Sequence, residues 1–221
     1  MNPRARPKNP LNGAPASHRA VVVALLALWC AVSVSAQHQP HGTSTAASEE
    51  GIQLSIPDLL LLDQNGREVR FYSELVKGRV VAINFIFTTC TTICPLLGAN
   101  FGQVQSLVPG VGKDFHLISV SVDPLTDTPE RLRAWAQKFH ARPGWTLVTG
   151  RKADVDRLLK ALHSFTPNKQ DHTPIVWIGD AARNMWTRAN GLASPAQLAE
   201  IAQRYLGEPG RTRPGPGTRE K

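Results

Sequence analysis

The chain has 221 residues and a formal net charge of +8, room for one ordinary domain once its end segments are set aside. That charge is uneven: residues 1–36 carry +4, residues 208–221 carry +2, and the body between them only +2. A body so close to neutral has no strong electrostatic reason to bind phosphate backbones, which argues against nucleic acid as a partner.

Residues 1–36 place Arg4, Arg6, Lys8 and Arg19 before an uncharged apolar run, followed by the small residues Val34-Ser35-Ala36. This is the layout of a secretory signal peptide. The run from Ala20 to Ala36 is ~17 residues, the lower edge for a spanning helix, so an uncleaved membrane anchor is the alternative. Either way the body is expected on the extracytoplasmic side, periplasmic or membrane-anchored, where disulfides persist. Residues 37–50 are rich in Ser, Thr, Ala and His and read as a flexible linker.

A globular domain is expected over 51–206. Leu54–Leu62 reads as a short strand region, Asn65-Gly66 as a tight turn and Val69–Phe71 as a second strand. Ser73-Glu74-Leu75 begins a helical turn that Gly78 ends. Val80–Phe87 is a continuous apolar run that predicts a fully buried central strand. A helix follows to about Leu107, closed by Pro109-Gly110. Phe115–Val122 is the next buried strand. Thr128 caps a helix with Pro129 at its first position and Leu132, Trp135 and Ala136 on its apolar face. Trp145–Val148 is a strand, Asp154–Leu162 a helix and Ile175–Ile178 a strand. Asn184–Arg188 is expected to pair with the last of these across Gly179-Asp180. Ser194-Pro195 opens a final helix, and residues 207–221 read as a disordered tail. Strands alternating with helices, then a hairpin and a helix, predict an α/β fold with a mixed central sheet and helices on both faces.

Three features carry chemistry. Of three cysteines, Cys30 lies in the N-terminal apolar run, which leaves Cys90 and Cys94 as a close pair. Such a pair is no disulfide framework of the small secreted kind; redox or metal chemistry fits better. The two sit where the central strand gives way to a helix, and helix-end amides favour an ionised thiol there. Spaced four apart, they can close a disulfide or converge on one metal ion. Asp123 stands at the carboxyl end of the next strand, on the rim where open α/β sheets gather their sites. Asp127 and Thr128 have a structural role at the start of the following helix. His172 lies directly before the strand Ile175–Ile178, placed as a capping group or a ligand. On the residues alone, redox chemistry and metal binding stay open.

The motifs Cys90-Thr-Thr-Ile-Cys94-Pro95, Ser119-Val-Ser-Val-Asp123-Pro124…Asp127-Thr128-Pro129 and Asp171-His172-Thr173 occur in that order over roughly residues 52–206. Together they resemble the SCO/SenC family. The resemblance implies a thioredoxin-like fold with an N-terminal strand or hairpin extension. It implies a copper site built by Cys90, Cys94 and His172, with Asp123 nearby. It also implies a role as an extracytoplasmic metallochaperone that delivers copper to cytochrome c oxidase or matures its copper site, with an oxidase subunit or another copper chaperone as partner. Two thiolates and an imidazole are a soft donor set suited to copper(I) and able to hold copper(II). A thiol–disulfide oxidoreductase using Cys90 as attacking and Cys94 as resolving thiol is the alternative. Thr91, Thr92 and Ile93 stand where family members often have a proline and an acidic residue, and Thr126 where they often have arginine. The segment from Phe165 to Asp171 is also short for the family. A short loop is expected to leave the site open and to favour thiol exchange.

Overall fold

The computed structural model describes residues 49–207. The signal or anchor segment, most of the linker and the tail expected from the sequence lie outside the described residues. Eight strands form one sheet in the order β1-β8-β7-β4-β5-β6-β2-β3. The strands are β1 (Glu49–Ile52), β2 (Leu60–Asp63), β3 (Glu68–Arg70), β4 (Val80–Ile86), β5 (Phe115–Ser121), β6 (Trp145–Thr149), β7 (Ile175–Asp180) and β8 (Met185–Asn190). Strands β4, β5 and β6 run parallel, and β7 lies antiparallel to β4. The helices are α1 (Ile93–Leu107), α2 (Pro129–Lys138), α3 (Lys152–Ala161) and α4 (Pro195–Gly207).

Alternation along the central strands sorts the core into two layers. In β4, Val80, Ala82 and Ile86 face one cluster with α1, α2 and α4, among them Leu97, Phe101, Trp135 and Leu198. Val81, Ile83 and Phe85 face the other, with α3 and the turn at 71–76, among them Val155, Leu158 and Phe71. Every residue of β4 is buried. A strand covered on both faces needs no polar alternation, which is why Val80–Ile86 is apolar but for Asn84. Its two flanking partners lock the register: Asn84 stands opposite Ser119 of β5 and Val176 of β7. The carboxyl ends of β4 and β5 and the start of β7 therefore share one rim.

Helix α2 starts as its sequence predicts. The Thr128 side chain accepts a hydrogen bond from the Arg131 N–H, and Pro129 takes the first turn, where a missing N–H costs nothing.

Several boundaries differ from the sequence reading. Strand β1 takes in Glu49 and Glu50, residues expected in the linker, because a free edge of β8 pairs with them. Residues 54–59 are not strand, and pairing begins only at Leu60. Phe71 leaves the strand and begins a π-helical turn, Phe71–Val76, that buries Phe71, Leu75 and Val76. Gly179 and Asp180 belong to β7 and are not the hairpin turn. The turn falls at residues 181–184, where the Asp180 carboxylate accepts from Ala182 N–H and Asn184 adopts a positive φ. Helix α4 runs one residue further than expected, to Gly207.

One half-buried titratable group is set by the sheet itself. His116 on β5 meets the Thr146 hydroxyl of β6 at 2.9 Å through Nε2. Burial, helped by the nearby Arg79 charge, pushes its pKa down to about 4. The folded pKa lies below the unfolded value, so the folded protein refuses a proton that the unfolded chain accepts. Stability is therefore full above the unfolded histidine pKa of about 6.5 and drains as pH falls toward 4. Urea titrations at pH 7.5 and 4.5 should show a loss to which His116 contributes roughly 3 kcal/mol, and His116→Gln should make the loss smaller. An equal loss in the variant would show that His116 is not the group responsible.

Candidate functional site

The rim joins three loops: residues 87–92 after β4, 122–128 after β5 and 162–174 before β7. The first carries Cys90, and Cys94 follows in the first turn of α1. The Cys94 backbone N–H donates to Cys90 Sγ at 3.4 Å, and the Thr92 hydroxyl lies 3.6 Å from the same sulfur. Thr92 itself makes no side-chain cap, so the Cys90 sulfur serves one of the free amides at the helix start. Burial pushes the Cys90 thiol up, but hydrogen bonds from the Cys94 thiol, the Cys94 amide and Thr92 outweigh it, and the net direction is down. Cys94 goes the other way. It is wholly buried, and burial pushes its thiol strongly up, with the neighbouring Cys90 and Asp127 acting in the same direction. Both cysteines are free thiols.

His172 completes the constellation. Its Nε2 lies 3.7 Å from Cys94 Sγ, and its Nδ1 lies 3.0 Å from the Lys169 carbonyl oxygen. A carbonyl only accepts, so the Lys169 contact favours the hydrogen on Nδ1 and leaves Nε2 to face the Cys94 thiol. The ring packs edge-on against Phe87 at 5.5 Å. Burial lowers its pKa, against the opposing pull of the Lys169 and Phe85 carbonyls, which favours the neutral imidazole. Among the described residues no three His, Cys, Asp or Glu side chains are drawn together as a finished metal-binding cluster. The pair in contact is Cys94 with His172, and Cys90 joins them through the Cys94 amide.

The expectation of an open site does not hold. Cys90 is 8% exposed, Cys94 0% and His172 4%. The two cysteines are part of the core cluster around α1, and the 162–174 loop, short as it is, sets His172 against Cys94 and is itself tightly tied. Asn168 caps the 3-10 turn Lys169–Asp171 by accepting from the Gln170 N–H. Lys169 then reaches Asp123 at 2.5 Å and lies over the Phe87 ring at 5.5 Å.

Asp123 is thus at the rim, as expected, but its partner is Lys169. The ion pair pulls its carboxyl below the usual range, against the effect of burial. Asp127 departs from its expected place at the start of α2. Its carboxylate accepts from the Thr88 N–H at 3.1 and 3.2 Å, from the Thr88 hydroxyl at 2.6 Å and from the Ser121 hydroxyl at 2.6 Å. It is wholly buried, and burial raises its pKa. It holds the loop that carries Cys90, while Arg131 donates to Thr88 Oγ1 at 3.1 Å from outside. The sequence offered a signal for this in the two threonines that follow the strand. Lys169 offered none, since it meets Asp123 from a loop 46 residues away. Two other described histidines face other partners: His116 of β5 meets Thr146, and His163, after α3, tilts against Trp177 at 6.5 Å.

With this geometry in view, comparison with known proteins gives a consistent result. The SCO1/SenC family model matches residues 50–207. The SCO1 protein homolog of Bacillus subtilis is 36% identical over 89 residues, 40% of this chain and 45% of that protein. The chain spans about half the length of the first curated relatives it matches (52% and 45%). Among solved structures, Bradyrhizobium japonicum ScoI with copper bound superposes with a TM-score of 0.57 at 25% identity, covering 72% of this chain and 100% of that one. BsSco, a Sco-family cytochrome c oxidase assembly protein in which a disulfide switch was identified, gives a TM-score of 0.61 at 22% identity, over 72% and 98% of the two chains. The mixed sheet with helices on both faces is the thioredoxin-like fold of these proteins. By the match over 50–207, the chain belongs to the SCO1/SenC family.

Proposed function

We propose that this protein binds copper through Cys90, Cys94 and His172 and passes it on in the maturation of the copper site of cytochrome c oxidase, to an oxidase subunit or another copper chaperone. The observation that carries the reading is the approach of His172 Nε2 to Cys94 Sγ at 3.7 Å, with Nδ1 occupied by the Lys169 carbonyl. A histidine held in that tautomer offers its lone pair toward the Cys94 thiol, and Cys90 stands beside it through the Cys94 amide. The donor set, two sulfurs and one neutral imidazole, is the soft one that copper(I) prefers. The copper-bound state of the B. japonicum relative supports the same reading. The setting is proposed to be extracytoplasmic, from the signal-like residues 1–36.

The two thiols also support a second activity, thiol–disulfide exchange. Its support is their asymmetry: Cys90 is held toward the thiolate and is the slightly more exposed, whereas Cys94 is buried and held protonated. That is the division between an attacking and a resolving thiol. Cys90 thiolate attacks a partner disulfide, a mixed disulfide forms and the partner's other sulfur leaves. Cys94, once deprotonated, then attacks Cys90 Sγ. The partner is released as a dithiol, and Cys90 and Cys94 are left as a disulfide. In that state neither sulfur is available as a thiolate ligand, so the two activities exclude one another at any instant.

Three measurements test these readings. Copper(I) titration of the reduced domain against a competing chelator should give one site, and His172→Ala should weaken it at least tenfold and change the copper(II) spectrum. Unchanged affinity and spectrum would remove His172 from the site. The pH dependence follows from the thiol shifts. Below the lowered Cys90 pKa both thiols must lose a proton on binding, so affinity should rise about a hundredfold per pH unit. Above it Cys94 alone still holds its proton, and the slope should drop to about tenfold. His172, already neutral, should add nothing at neutral pH. A pH-independent affinity would sink the two-thiolate site. Finally, the Cys90–Cys94 couple should equilibrate with glutathione at a potential above about −300 mV, and Cys90 should alkylate before Cys94. A couple inert to exchange would leave only the metal-binding reading.

A further inference from the structure

We infer that Lys169 is a positioning residue, which in partnership with Asp123 fixes the tautomer and direction of His172. This deepens the copper reading above and rests on it.

The inference follows from what each part of Lys169 touches. Its backbone carbonyl accepts from His172 Nδ1 at 3.0 Å and, more weakly, from the His172 backbone N–H at 3.4 Å. Its ammonium group donates to Asp123 Oδ2 at 2.5 Å and stands over the Phe87 ring at 5.5 Å. The same Phe87 ring packs edge-on against the His172 imidazole. One residue therefore grips the histidine from its main chain and grips the rest of the rim from its side chain.

Those anchors are firm. Asp123 is held in turn: its N–H donates to Ser121 Oγ at 3.0 Å, and Ser121 Oγ donates to the buried Asp127 carboxylate at 2.6 Å. The Asp123 side chain is 11% exposed and that of Lys169 34%. An exposed ion pair contributes little, but one whose acid is largely withdrawn from water is screened less. The carbonyl that orients His172 belongs to a three-residue 3-10 turn, Lys169–Asp171, which is too short to hold its own place. Apart from the Lys169 ammonium over Phe87, its other ties run to the residues just before it, from Asn168 to Gln170 and Asp171 and from Thr166 to Asn168. The side-chain bridge to Asp123 is what connects this turn to the loop after β5. Without it the carbonyl is free to drift, and Nδ1 loses its fixed acceptor. The ring can then protonate at Nε2, which turns the lone pair away from the thiols.

The test uses the reduced, metal-free protein and its copper-loaded form. Nitrogen-15 NMR of the imidazoles reads the tautomer of His172 directly. The parent should show Nδ1–H with a bare Nε2. Lys169→Met keeps an unbranched side chain of similar length but removes the ammonium that pairs with Asp123 and stands over Phe87; it should mix the tautomers and weaken copper(I) binding by about tenfold. Lys169→Arg should restore both. Asp123→Asn should reproduce the Lys169→Met effect, and the double variant should be no worse than either single one, as expected for residues acting as one unit. If Lys169→Met leaves the His172 tautomer and the copper affinity unchanged, or if the two single effects simply add, the inference is overturned. A merely structural bridge would lower the urea midpoint without moving the imidazole signals, and that result also overturns it. Failure of the copper reading looks different: the parent would bind no copper, or His172→Ala would bind it as well as the parent. The NMR arm still decides the role of Lys169 in either case.

Discussion

The site depends on one buried carboxylate. Asp127 is wholly inaccessible to solvent, yet it accepts hydrogen bonds from Thr88 and Ser121 at the ends of the two central parallel strands. Burying an ionised acid is costly, and each unmade hydrogen bond to it would cost more. Once Thr88 and Ser121 have satisfied it, the chain after β4 can leave the sheet in only one direction. Cys90 follows two residues later, with its amide bonded to the Phe87 carbonyl at 3.1 Å. The placement of the first thiol is thus a consequence of how the strand end is sealed.

The second acid of the same loop, Asp123, reaches the opposite way to Lys169 on the histidine loop. Two carboxylates four residues apart therefore hold the cysteine loop and the histidine loop against one segment. The arrangement explains how a short excursion from Phe165 to Asp171 can hold His172 against Cys94. Loop length sets how far a segment can reach, but tethering sets whether it stays. Here a 3-10 turn, a capping asparagine and one ion pair do what a longer loop would otherwise do by packing.

The fold was largely legible in the sequence because its strongest signals are local. The run Val80–Phe87, the Thr128-Pro129 cap and the apolar stripes of α2 and α3 each report a neighbourhood of a few residues, and period-2 and period-3.6 patterns carry that information. That Cys90, Cys94 and His172 come close together was legible because a family resemblance joined three motifs that no local pattern connects. What escaped is what depends on contacts between distant loops. The Lys169–Asp123 bridge and the turn of Asp127 away from α2 toward Thr88 are of this kind. The strand at Glu49–Ile52 escaped for a similar reason: its partner, β8, lies more than a hundred residues on, and nothing within its own sequence marks it as extended.

On the copper reading, the burial of Cys90, Cys94 and His172 bears on how the site would exchange its ion. A carrier with fully exposed ligands would release its ion to any competitor, and one with fully buried ligands would not release it at all. Here the donors are graded. Cys90 is 8% exposed, at the edge of the loop, whereas Cys94 is 0% exposed inside the first turn of α1. Cys90 is also the thiol that hydrogen bonds hold toward ionisation, and Cys94 the one that burial keeps protonated. On the copper reading, an incoming donor meets Cys90 first, and the inner pair, Cys94 and His172, parts only when the loop held by Lys169 moves. On the thiol reading, the same gradient makes Cys90 the nucleophile. One physical asymmetry, an outer thiol at a helix start and an inner one beneath it, would thus order the steps of either proposed activity.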